Sequence, residues 1–100
     1  MSKRLLLATL LLAASPALAE AGPVGSACLR SNRPAASPQV CSCIDEVAKS
    51  SLSRADQRQA SRFFRDPDLA QHVRMHKSAA ANDFWHRYKA FADKAQRLCS

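Results

Sequence analysis

The chain has 100 residues, 15 Lys and Arg against 8 Asp and Glu, and a formal net charge of +7. It is too short for the two-domain cleft of a solute-binding protein or for a large enzyme pocket. Four cysteines in so small a domain read as covalent staples for a core that supplies only about 3–5 kcal/mol.

Residues 1–19 have the form of a secretory signal peptide. Lys3 and Arg4 make a positive start, Leu5 to Ala14 an apolar run, and Ala17-Leu18-Ala19 a small-x-small cleavage site after Ser15 and Pro16. A membrane anchor would need about twenty apolar residues. Cleavage after Ala19 leaves a chain that begins at Glu20 and keeps Cys28, Cys41, Cys43 and Cys99. Losing Lys3 and Arg4 lowers the charge from +7 to +5. No cysteine of the lipoprotein type follows the cleavage site, and no other segment is apolar enough to span a bilayer. The expected location is the periplasm or the exterior.

Residues 20–36 hold both glycines and little periodicity. They read as an extended arm pinned by Cys28. The domain proper is expected over 37–100, punctuated by helix starts. Ser37-Pro38 fits a cap followed by proline at the first helical position. Ser53 followed by Asp56 is a capping-box pattern. Asp66-Pro67-Asp68 joins a cap, a proline and a first-turn acid, and Asn82-Asp83 is a fourth start. These signals predict helices over about 38–51, 54–65, 67–78 and 83–99, with Ala79-Ala80-Ala81 as a linker. Strand signals are absent. The predicted fold is all-α: a small four-helix domain stapled by two disulfides.

Each helix shows one apolar face. Val40, Ile44, Val47, Ala48 and Leu52 line the first, and Ala60, Phe63 and Phe64 the second. Leu69 and Val73 line the third. The last carries Phe84, Trp85, Tyr88 and Phe91, four of the six aromatic residues, together with Ala92, Ala95, Leu98 and Cys99. Trp85 is expected at the centre or the rim of the core.

Three constellations could carry chemistry. Cys41 and Cys43, two positions apart on a helix, point about 200° from each other. They are better placed to reach Cys28 and Cys99 than to bond together. Both pairings stay open: Cys28–Cys41 with Cys43–Cys99, or Cys28–Cys43 with Cys41–Cys99. A thiol–disulfide exchange pair is the functional alternative, since a first helical turn lowers thiol pKa. No βαβ pattern of the thioredoxin type surrounds it.

Arg54, Arg58, Arg62 and Arg65, spaced four, four and three apart, form one ridge opposite the apolar face of the second helix. Guanidinium forks match carboxylates and phosphates. The ridge is therefore a candidate docking surface for an acidic protein or an anionic membrane surface. Export disfavours nucleic acid as the partner. His72 and His76 stand at i and i+4, a spacing that can place two imidazoles on one metal, but no zincin glutamate lies between them. They are weak metal candidates, with His86 the nearest third ligand. No Cys-x-x-Cys-His, no glycine-rich phosphate loop and no nucleophile–base pair is present, so no cofactor and no catalytic residue is expected.

Cys41-x-Cys43-Ile44, Phe63-Phe64-x-Asp66-Pro67 and Phe84-Trp85-x-Arg87-Tyr88-x-x-Phe91, closing on Cys99, give the chain a family look. Over residues 28–99 it resembles a family of small exported, uncharacterised, mostly alphaproteobacterial proteins. Some of these carry the automatic label "arginine transporter". The resemblance implies no catalytic residue, and the sequence offers no membrane span or binding cleft to support transport. The expectation is a small exported helical protein that acts by binding, with redox exchange or metal handling as alternatives.

Overall fold

The computed structural model describes residues 21–100, and the expected leader at 1–19 lies outside the described residues. The described residues form five helices: α1 Pro23–Leu29, α2 Pro38–Ser51, α3 Arg54–Arg65, α4 Asp68–Met75 and α5 Ala79–Cys99. No strand occurs among the described residues. The all-α, doubly stapled fold expected from the sequence is thus found, with one helix more than the four predicted.

The caps explain where most helices begin. The Ser37 hydroxyl accepts from the Val40 amide at 3.1 Å, with Pro38 at the first helical position. The Ser53 hydroxyl accepts from the Asp56 amide at 3.1 Å. Asp66 accepts from the Asp68 amide at 3.2 Å. Each bond satisfies an amide that the helix cannot.

Two boundaries differ from expectation. The last helix starts at Ala79, not at Asn82, because Ser78 accepts from the Ala81 amide at 3.1 Å. The alanines read as a linker are its first turn, in keeping with the high helix propensity of alanine. The preceding helix stops at Met75 rather than running to 78, and His76 is already extended.

The larger correction is α1. Residues 20–36 were expected as an extended arm, but Pro23–Leu29 are helical. At seven residues α1 shows too little periodicity to stand out, and its own side chains do not cap it. The cap comes from α2. The buried Asp45 carboxylate accepts from the Gly22 amide at 3.0 Å and the Gly25 amide at 2.8 Å. Asp45 is also paired with Lys49 at 3.3 Å. Gly25 is required by this close approach: a Cβ there would lie 2.7 Å from the Asp45 Cβ. Beyond α1, Asn32 takes the left-handed backbone at φ 58°, which asparagine tolerates, and turns the chain toward α2.

The core is built by Val24 of α1, Val47, Ala48 and Leu52 at and after α2, Ala60 of α3, and Phe91, Ala95 and Cys99 of α5. An aromatic cluster extends it. Phe63 meets Tyr88 edge-on at 5.0 Å and Phe84 at 6.0 Å between ring centroids. Trp85 sits half-buried at the rim, 5.4 Å from Tyr88. Leu98, expected on the buried face, is 61% exposed. The core stripe of α5 runs through 84, 88, 91, 95 and 99, and position 98 falls beside it.

Candidate functional site: an arginine ridge and an apolar groove

The helix α3 separates its two faces sharply. Asp56, Gln57, Ala60 and Phe63 are buried, while Arg54, Arg58, Arg62 and Arg65 are all exposed. The one carboxylate inside α3 turns away from the ridge. Asp56 accepts from Arg87 of α5 at two points, 2.6 Å from Nε and 3.2 Å from a terminal nitrogen. This fork-on-carboxylate geometry fixes α3 against α5. It also undoes half of the predicted capping box: Ser53 caps Asp56, but the Asp56 side chain serves Arg87.

Gln57 closes the α2–α3 corner by donating to the Leu52 carbonyl at 2.9 Å. Two ion pairs occur among the described residues, Asp45–Lys49 and Asp56–Arg87, and neither involves a ridge arginine. Like charges three and four apart on a helix repel by a few tenths of a kcal/mol per pair. The ridge therefore carries a small local cost with no acid set against it among the described residues.

A fifth cation joins the end of this helix. Arg33, from the α1–α2 connection, lies over the Phe64 ring at 5.4 Å and donates to the Phe64 carbonyl at 3.4 Å. Nothing in the periodicity of residues 20–36 marked Arg33. Its place depends on the α1–α2 connection folding back across the end of α3.

Beside Arg33 opens a groove of about 710 Å³. It is lined by Val40 and Ile44 of α2, by Phe91, Ala92 and Ala95 of α5, and by Pro34 and Ala35 of the α1–α2 connection. Phe64 and Tyr88 line it, and no lining side chain carries a charge. Burial pushes the Tyr88 phenol above its ordinary pKa, and the nearby Arg33 pulls it partly back. The groove forms between helices within the one helical unit.

The cysteines resolve to Cys28–Cys41 and Cys43–Cys99, with no free cysteine among the described residues. Cys41 and Cys43 are thus bonded to different partners, on opposite sides of α2, as their angular separation requires. Cys41 is buried. Both bridges join secondary-structure elements: α1 to α2, and α2 to α5.

His72 and His76 are exposed, and only His72 lies within α4. The helical i, i+4 geometry that would aim both imidazoles at one metal is therefore not formed. They border a shared surface depression with Asp68, Gln71 and Met75. No cluster of three or more metal-ligating His, Cys, Asp or Glu side chains occurs among the described residues.

No helix among the described residues is long and apolar enough to cross a membrane. Comparison of the chain with protein-family profiles, curated proteins and solved structures returned no match.

Proposed function

We propose that this chain is a small exported helical module that acts by binding, docking on an anionic surface through Arg54, Arg58, Arg62 and Arg65. The observation that carries this reading is the bare ridge. Four exposed guanidinium groups share one stripe, and the only acid of their own helix is committed to Arg87. Such a stripe attracts anions in a salt-dependent way. Two structural disulfides suit an oxidising compartment outside the cytoplasm, and the expected leader would deliver the chain there. An exported basic module meets anionic lipid headgroups and acidic proteins, so both remain partners in this proposal.

Vesicle co-sedimentation tests the lipid form. The exported protein should bind vesicles containing anionic lipid at about 0.15 M salt, where surface charges are already substantially screened. It should bind zwitterionic vesicles far less. Each basic residue at such a surface contributes about 1 kcal/mol. The double change Arg58→Gln and Arg62→Gln should then weaken binding roughly thirtyfold. Helicity should persist, because glutamine is a good helix former. A wild-type protein that ignores both anionic vesicles and an acidic polypeptide at this salt would leave the ridge as a solvated face.

A further inference from the structure

We propose that the groove between α2 and α5 takes the hydrocarbon chain of a fatty-acid carboxylate, with the head group held at Arg33. This assignment does not depend on the ridge.

The groove's shape suits a chain. Tyr88 and Cys99 both line it, and their separation along α5 corresponds to about 16 Å of helix. Along that length the small Ala92 and Ala95 line the groove together with the larger Phe91 and Tyr88. A groove lined along three turns of helix fits a single flexible chain better than a compact ring. Its volume of about 710 Å³ falls within the range of small-molecule sites, roughly 300–1,000 Å³.

Its chemistry selects an amphiphile. The lining side chains are apolar apart from hydroxyl and amide groups, so none of them can pair with a charge inside. The charge is at the rim. Arg33 precedes the lining Pro34 and contacts the carbonyl and ring of the lining Phe64. One of its five donors is thereby used, which leaves the others to receive a carboxylate. An apolar groove with one cation at its edge complements an apolar tail with one anionic head.

Calorimetry on the exported protein with decanoate, dodecanoate and tetradecanoate, below the concentrations at which they aggregate, tests this. Affinity should rise about two- to fourfold per added methylene. Arg33→Gln should weaken decanoate about two- to fivefold, the range of an exposed ion pair, and leave decan-1-ol unchanged. Ala92→Trp should block all of these probes. The ridge variant with Arg58→Gln and Arg62→Gln should bind decanoate like wild type, so failure here and failure of the docking reading are separable.

Affinity that is flat with chain length overturns the proposal, as does an Arg33→Gln variant that binds decanoate like wild type. These two arms decide even if Ala92→Trp does not fold. A dimer that Ala92→Trp disperses, with no decanoate uptake, would assign the groove to a second copy of the chain and also overturn it.

Discussion

Tyr88 is the only tyrosine, which makes its environment directly readable. Burial raises its phenol pKa and Arg33 opposes the rise. The folded state therefore keeps the phenol proton in a pH range where the unfolded chain has lost it. The sign follows: Tyr88's contribution is fully present below the ordinary phenol range and is lost as pH rises through the folded value. We predict that tyrosinate absorbance in the folded protein has a midpoint above that of the protein in denaturant. Arg33→Gln should move the folded midpoint further up, because it removes the opposing charge. Coincident midpoints in folded and unfolded protein would show that Tyr88 is not buried as described. Asp56 is the other residue whose role only partners could reveal. Its placement toward the apolar side of α3 was legible from periodicity, but its pairing with Arg87, 31 positions away, was not.

Among the elements, α1 tests how a short helix is held. It is seven residues long, below the length at which a helix is stable by itself. Its supports are the bridge Cys28–Cys41, the Asp45 carboxylate and the burial of Val24 and Ala27. Gly25 sits against Asp45 so closely that any Cβ must displace it. In most helices Gly→Ala is stabilising by about 0.5–1 kcal/mol. Here overpacking, which costs about 1–3 kcal/mol, should win, since two amides hold Asp45 in place. Gly25→Ala is therefore expected to lower the denaturant midpoint, with hydrogen exchange accelerating first in α1. Lys49→Ala should change stability little, because Lys49 is 44% exposed and its ion pair is largely solvated. A stabilised Gly25→Ala protein would contradict the Asp45 seat. The caps at Ser37 and Ser53 were readable locally, since a cap and the amide it serves lie three residues apart. The cap on α1 came from 20 positions away and had no local signature.

At the scale of the molecule, the two disulfides close consecutive loops that share no chain. Cys28–Cys41 spans 13 positions and Cys43–Cys99 spans 56. Loop entropy gives about 3 kcal/mol for the first and about 4 kcal/mol for the second. The two should also fail differently. Replacing Cys43 and Cys99 by Ala should lower global stability, because that bridge joins the two helices of the main core. Replacing Cys28 and Cys41 by Ala should release α1 while α2 and α5 remain protected from exchange. Chemical denaturation with native-state hydrogen exchange separates the two cases, and equal losses with the same exchange pattern would refute the division.

What the sequence by itself determined is what local rules control: helical class, most helix starts, the apolar faces, the exposed arginine stripe and the need for two bridges. The bridges follow from cysteine count and chain size; the other features depend on residues within one or two turns of each other, where period and capping chemistry act. Tertiary structure decided the rest. It chose Cys28–Cys41 with Cys43–Cys99 from two pairings that periodicity left equal. It also folded residues 23–29 into a helix on Asp45. Finally, it brought Arg33 over Phe64 beside a groove shared by four stretches of chain. Each of these depends on distances between segments far apart in sequence, and a one-dimensional pattern holds no such distances.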